Sequence, residues 1–122
     1  MKSTFARLTA TGAALALLGT IGLSAPAQAR TAAPSCRGWS HGNYDHGWDT
    51  VKHPSNMKNG PFSACGNVMY LKELTTVYFH CMVINDYGKI WVYVRVAGTK
   101  KHGWVSYDNL EHWSADLIQH CT

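Results

Sequence analysis

Carboxylate side chains are scarce in this chain: its 122 residues include seven Asp and Glu in total, and these are dispersed along the sequence. Glycoside hydrolysis needs two carboxylates that face one bond, and no obvious pair is present. The Gly-x-Ser-x-Gly pattern of many serine hydrolases is also missing. These absences argue against the common hydrolase chemistries.

Apolar runs long enough to cross a membrane are missing as well. Lys2 and Arg7 precede an uncharged stretch from Leu8 to Leu23, and Ala27-Gln28-Ala29 forms a small-x-small cleavage site. This pattern predicts a secretory signal peptide over residues 1–29, since the 16-residue apolar stretch is shorter than the ~20 residues a bilayer requires. No Cys follows the site directly. We therefore expect a secreted, extracellular protein with no membrane or lipid anchor.

Clusters of basic residues are missing too. Cleavage would remove Lys2 and Arg7, leaving 11 − 2 = 9 Lys and Arg against 7 Asp and Glu, a net charge of +2 with neutral His. These basic residues are scattered, whereas nucleic-acid binding requires a basic patch or stripe. We expect no nucleic-acid partner. The 93 residues that remain are enough for one domain, which we expect to be a monomer.

Short apolar runs with the alternation of half-buried strands occupy the centre of the chain: Val68 to Leu71, Thr76 to Val83, and Ile90 to Val96. They lie between an opening Asn56-Met57-Lys58-Asn59-Gly60-Pro61 and a closing Gly103-Trp104-Val105. The order and spacing of these parts resemble the bacterial SH3 domain family, over about 55 residues. This resemblance implies an all-β, SH3-like β-barrel over residues 54–122 with a C-terminal tether, after an N-terminal extension over residues 30–53.

The four cysteines, all after the expected cleavage site, predict two disulfide bonds in an exported protein. Three pairings are possible. A small barrel would bring Cys65, in the loop after Gly60-Pro61, next to Cys81 in the following strand, so we predict Cys65–Cys81 and Cys36–Cys121.

Histidines in the extension raise the question of a metal. His41, His46 and His53 are interleaved with Gly and aromatic residues, but their spacing lacks the two close ligand pairs typical of zinc sites. We predict no metal and no cofactor. Trp48 to Val51 is a candidate edge strand.

Strand alternation predicts a binding site. Val92, Val94 and Val96 would point into the core, so Trp91 and Tyr93 would point outward. If Asn85-Asp86-Tyr87-Gly88 forms a hairpin turn, the neighbouring strand adds two more outward residues. The predicted ligand-binding patch consists of Tyr78, His80, Trp91 and Tyr93. The alternative is that the N-terminal extension covers this patch. Trp104 is predicted to pack in the core, and Glu111 to Cys121 has weak helical spacing.

The resemblance implies a secreted, non-catalytic module that contacts peptidoglycan or cell-wall peptides, as bacterial SH3 domains commonly do. The alternative is an effector or inhibitor that binds another extracellular protein. A small hydrolase is a third reading, resting on His80 near Asp86. It is weakened because the cysteines are expected to be paired and are then not nucleophilic.

Overall fold

The computed structural model describes residues 34–113 and 117–122, and the regular secondary structure of this part of the chain is almost entirely antiparallel strand. The predicted signal peptide lies outside the described residues. A short 3-10 helix at Tyr107–Asn109 follows the last of six strands. The strands are β1 (Trp48–Thr50), β2 (Ser55–Lys58), β3 (Asn67–Leu71), β4 (Thr76–Ile84), β5 (Ile90–Val96) and β6 (His102–Ser106). The all-β prediction is confirmed.

The strands form one sheet in the order β1-β4-β5-β6-β2-β3. β2 and β6 are paired through one residue pair, in which Lys58 lies opposite Trp104. β1 and β3 are the two edges, and in the described part of the chain these edges do not pair to close a barrel. The predicted strands agree with the observed ones: β5 has the predicted bounds, β3 and β4 differ by one residue each, and the candidate edge strand at Trp48 is β1.

The β4–β5 hairpin depends on one buried amide. The Asn85 side-chain oxygen accepts hydrogen bonds from the N–H groups of Tyr87 (2.9 Å) and Lys89 (3.1 Å), and its Nδ2 donates to the Pro61 carbonyl at 2.7 Å. Gly88 adopts a φ of 76°, which glycine reaches without steric cost. The predicted turn is therefore present, and it is fastened to the loop after β2.

The hydrophobic core lies on one face of the sheet. Val92 and Val94 are fully buried and Val96 is 3% exposed, so the predicted inward row of β5 is confirmed. Burial of side chains of this size contributes about 1.5 to 3 kcal/mol each, which makes this face the main source of stability. The core cluster consists of Val51, Met57, Leu71, Val77, Phe79, Met82, Val92, Val94, Val96, Val105 and Leu110.

A β-bulge at His80 changes the alternation of β4. Phe79 pairs with Val94 and Cys81 pairs with Tyr93, so His80 is the extra residue. Beyond a bulge the side chains swap faces. A simple alternation along the whole of β4 would place Phe79 and Cys81 on the same face. Beyond His80 the structure differs: Met82 points into the core, and Cys81 lies on the side of Tyr93.

Both predicted disulfides were wrong. The observed bonds are Cys36–Cys65 and Cys81–Cys121, with 29 and 40 residues of sequence separation. The bulge gives the physical reason for the second bond, since it places Cys81 where the C-terminal tail arrives. The Cys121 N–H donates to the Met82 carbonyl at 2.9 Å. Cys65 consequently bonds to Cys36 in the N-terminal segment.

The two terminal segments contain no helix where the structure describes them. The Met82 N–H donates to the Gln119 carbonyl at 2.8 Å, which lays the tail along β4. The weak helical spacing from Glu111 to Cys121 produces no helix in the described part of that stretch. Among the described residues, no helix is long and apolar enough to span a bilayer.

Candidate functional site

The face of the sheet opposite the hydrophobic core, here called the outer face, carries aromatic and basic side chains from five neighbouring strands. Because directly paired residues share a face, the register determines its membership. Tyr78 is paired with Arg95, and Arg95 with His102. Tyr93 is paired with Trp104. The aromatic and basic members of the outer face include Trp48 on β1, Lys58 on β2, Tyr78 and His80 on β4, Trp91, Tyr93 and Arg95 on β5, and His102 and Trp104 on β6.

Tyr93 is at the centre of a ring cluster on this face. His41 stacks on it with 3.9 Å between ring centroids, and Trp104 meets it edge-on at 5.0 Å. His80 lies 5.8 Å from Tyr93 and 5.0 Å from His102. We call these five residues the Tyr93 cluster. Edge-on and stacked arrangements of this kind are favourable beyond the area they bury, so the cluster holds its rings in fixed positions.

The N-terminal segment, residues 34–47, lies on the outer face. The N–H groups of Tyr44 and Asp45 both approach the His80 carbonyl at 2.9 Å. The Cys36–Cys65 bond ties the start of the segment to the loop after β2. The N-terminal segment therefore does contact the predicted ligand-binding patch, as the alternative of a covered patch predicted. His41 covers only the centre of the outer face, and a cleft remains on either side of it.

The first cleft, of about 350 Å³, lies between the start of the N-terminal segment and β6. We call it the Arg37 cleft. Its basic side chains come from three different elements, and Tyr93 and Trp104 contribute its aromatic wall. The lining residues include Arg37, Trp39, His41, Lys58, Asn59, Val68, Tyr93, His102 and Trp104.

The second cleft, of about 180 Å³, lies between the end of the segment and β4. Its wall contains Tyr78, 39% exposed, with the Arg95 guanidinium carbon 4.9 Å from the ring centroid. Asp45 also lines it. The Asp45 carboxylate accepts hydrogen bonds from the N–H groups of Gly47 at 2.7 Å and Gln119 at 2.9 Å, so it holds the loop and the C-terminal tail in place.

Trp91 is separate from the other three predicted site residues. Tyr78, His80 and Tyr93 are at least partly accessible, whereas Trp91 is only 7% exposed. It borders a different groove, of about 610 Å³, together with Tyr87 and Asn56. The prediction of a single outward patch was therefore wrong for Trp91, because the neighbouring loops bury its side chain.

Burial and neighbouring charges change the pKa values of two members of the Tyr93 cluster, His80 and Tyr93. Burial lowers the pKa of His80, and the nearby His102, Arg95 and His41 lower it further, in that order. Burial also raises the pKa of Tyr93. Both shifts favour neutral rings in the folded protein near neutral pH.

Protonation of His80 is expected to make the protein less stable in acid. The unfolded chain takes up this proton near the usual pKa of about 6.5, and the folded chain does so at lower pH. The unfolded state binds more protons in that window, so stability falls as pH falls through about 6.5. Thermal unfolding at pH 8.0 and 5.5 should show this decrease, and it should be smaller in His80→Gln.

The matched control for this prediction is His53→Gln, which alters an exposed histidine outside the Tyr93 cluster. It should retain the full decrease of the unmodified protein. Equal pH dependence in His80→Gln and the unmodified protein would contradict the assignment to His80.

The described residues contain no group of three His, Cys, Asp or Glu side chains arranged to hold a metal ion. His80 and His102 are edge-on neighbours, but the other ring that each of them meets is Tyr93, which is not a metal ligand of choice. All four cysteines are in disulfides. The arrangement is suited to contact with a ligand through rings and cationic groups.

Sequence reasoning missed His41, His102 and Trp104 as members of this site. The same alternation that was applied to β4 and β5 extends to β6, and would have placed His102 and Trp104 beside Arg95 and Tyr93. Trp104 is 3% exposed, so its predicted burial is confirmed, although it lies on the outer face and outside the main core cluster. No local signal indicated His41, because its position depends on how the segment folds back.

Comparison with protein-family models, curated proteins and solved structures finds no match to this chain. The functional argument therefore rests on its residues and their geometry.

Proposed function

We propose that this protein is a secreted, non-catalytic binding module that contacts peptidoglycan or cell-wall peptides through its outer face. The observation that carries the proposal is the position of accessible aromatic rings, Tyr78 and Tyr93, beside two clefts on a rigid antiparallel sheet. Aromatic rings provide a large contact area with few rotatable bonds, which suits flat and partly apolar ligands.

The ligand class follows from the resemblance to bacterial SH3 domains, which commonly attach to peptidoglycan or its peptides. The strand pair β4–β5 and the Gly103-Trp104-Val105 sequence in β6 are compatible with an SH3-like barrel. In this proposal, the N-terminal segment is an addition to the barrel that reshapes its binding face.

Secretion is proposed from the signal-peptide pattern of residues 1–29 and the two disulfides of the described chain. Disulfide bonds persist in oxidising, extracellular compartments. Secretion would deliver the protein to the place where cell-wall material is exposed.

The absence of catalysis is proposed from the surroundings of the candidate groups. Each thiol is consumed in a disulfide, which removes the usual nucleophile of a Cys-His enzyme. His80 lies in the middle of β4, whereas Asp86 is in the turn beyond the end of that strand. A histidine general base is normally oriented by a neighbouring acceptor. The carboxylate of Asp45, which lines the same cleft as His80, instead accepts hydrogen bonds from the N–H groups of Gly47 and Gln119.

Tyr78→Ala is expected to weaken binding to insoluble cell wall by about 1 to 3 kcal/mol, roughly 5- to 150-fold, since binding energy concentrates in a few aromatic side chains. Its side chain is 39% exposed, so the fold should be retained. The measurement is a binding isotherm on purified cell wall, with a melting curve for each variant.

The matched control is Tyr70→Ala, because Tyr70 is 58% exposed on the edge strand β3 and is not among the lining residues of either cleft. It should bind as the unmodified protein does. If Tyr78→Ala and Tyr70→Ala both bind normally, the second cleft does not hold the ligand. If the unmodified protein instead ignores cell wall and captures a defined secreted protein, the effector or inhibitor alternative replaces this proposal.

A further inference from the structure

The Arg37 cleft has an unusual balance of charge. Among the residues that the structure describes, four of its lining side chains are basic, namely Arg37, His41, Lys58 and His102, and none is a carboxylate. The Lys58 ammonium donates to the side-chain oxygen of Asn67 at 2.6 Å, which is a neutral partner. A cleft with several cationic groups and no acidic side chain in its lining attracts anions.

The cleft also has an apolar wall that is held firmly. Tyr93 is half-buried and Trp104 is 3% exposed, and both project from central strands. The opposite wall is fastened by the Cys36–Cys65 bond. At Gly60 an added Cβ would lie 2.6 Å from the Cys36 carbonyl oxygen, so this close approach requires glycine. A preformed wall reduces the ordering cost of binding.

We infer that the Arg37 cleft binds a carboxylate group of the ligand, with the attached apolar part of that ligand against Tyr93 and Trp104. This inference rests on the proposed binding function of the outer face and specifies its ligand chemistry. Arg37 is the principal anchor, because a guanidinium can hold a carboxylate through two parallel hydrogen bonds. His41 and His102 line the same cleft and add ring N–H donors.

The carboxylate could come from the free C-terminus of a peptide or from an acidic sugar. Both present the same planar anion, but they differ in the group attached to it. A peptide end carries small apolar side chains that can lie against the Tyr93 ring, whereas a sugar acid carries hydroxyl groups. The test therefore includes one probe of each kind.

The experiment is an NMR or calorimetric titration of the full secreted protein at neutral pH. The probes are N-acetyl-alanyl-alanine with a free carboxylate, the same dipeptide as its amide, and glucuronate beside glucose. We expect the free acid to bind at least about fivefold more tightly than the amide, as a charge-assisted contact implies.

Arg37→Gln and His102→Gln remove one basic group each and should reduce the preference for the acid to less than about twofold. Arg37 and His102 are both exposed, so their folds should survive. Lys72→Gln and His53→Gln, at exposed positions outside the cleft, are the matched controls and should keep the preference. Loss of preference in the controls as well would overturn the assignment to this cleft.

Equal binding of acid and amide by the unmodified protein would overturn the inference, even if the protein is retained on cell wall, in which case the proposed function stands. Selective binding of the acid without retention on cell wall would support the cleft and contradict the cell-wall partner. A preference for glucuronate over the dipeptide acid supports the carboxylate site and assigns it to a glycan.

Discussion

Trp91→Ala is expected to lower the free energy of unfolding by about 3 to 5 kcal/mol, the usual range for truncating a buried Trp. Trp91 is 7% exposed and lies between Val83 and Ser106 of the neighbouring strands. In a domain of this size each kcal/mol shifts the melting temperature by about 4 to 8 °C. Thermal unfolding should therefore show a decrease of more than about 10 °C.

The comparison for this prediction is Trp48→Ala, since Trp48 is 50% exposed on the edge strand β1. Its effect on the melting temperature should be much smaller. Binding to cell wall, measured below the melting temperature of the variant, should be retained by Trp91→Ala. If Trp91→Ala has a normal melting temperature but no longer binds cell wall, Trp91 contacts the ligand and its structural role is contradicted.

Removing the Cys36–Cys65 disulfide is expected to have the second large effect. A bond that closes 29 residues stabilises by about 3.5 kcal/mol on the chain-entropy model. The double variant Cys36→Ala/Cys65→Ala should lose stability of that order. It should also free the N-terminal segment, so that the 3.9 Å stack of His41 on Tyr93 is lost. Denaturant unfolding and the NMR ring signals of Tyr93 measure the two effects.

The other disulfide provides the matched control. Cys81→Ala/Cys121→Ala opens a loop of similar length, 40 residues, and should lose a similar amount of stability. It releases the C-terminal tail instead, so the Tyr93 signals should change less and acid-selective binding in the Arg37 cleft should persist. If both double variants bind equally well, the N-terminal segment is not a wall of the site. Peptide mapping that recovers Cys65–Cys81 would contradict the observed pairing itself.

Strands β3, β4 and β5 could be predicted because their residues alternate or are β-branched, and these are local properties. The β4–β5 turn was predictable for the same reason, since Asn85 and Gly88 are turn residues whose preferences act within a few positions. Of the candidate site, Tyr78, His80 and Tyr93 were predicted and lie on one face. Trp91 was placed on the correct face, but alternation does not report which loop covers a side chain.

The sequence by itself determined that this is an all-β chain with two disulfides. It also determined that a row of valines lies in the core and a row of aromatic residues on the opposite face of the sheet, because this periodicity is a local property of the sequence. Tertiary structure decided the rest. The bulge at His80 turned Cys81 toward the C-terminal tail, which fixed the disulfide pairing. The return of the N-terminal segment brought His41 and Arg37 to Tyr93. Both depend on contacts between residues far apart in the chain, which no local pattern specifies.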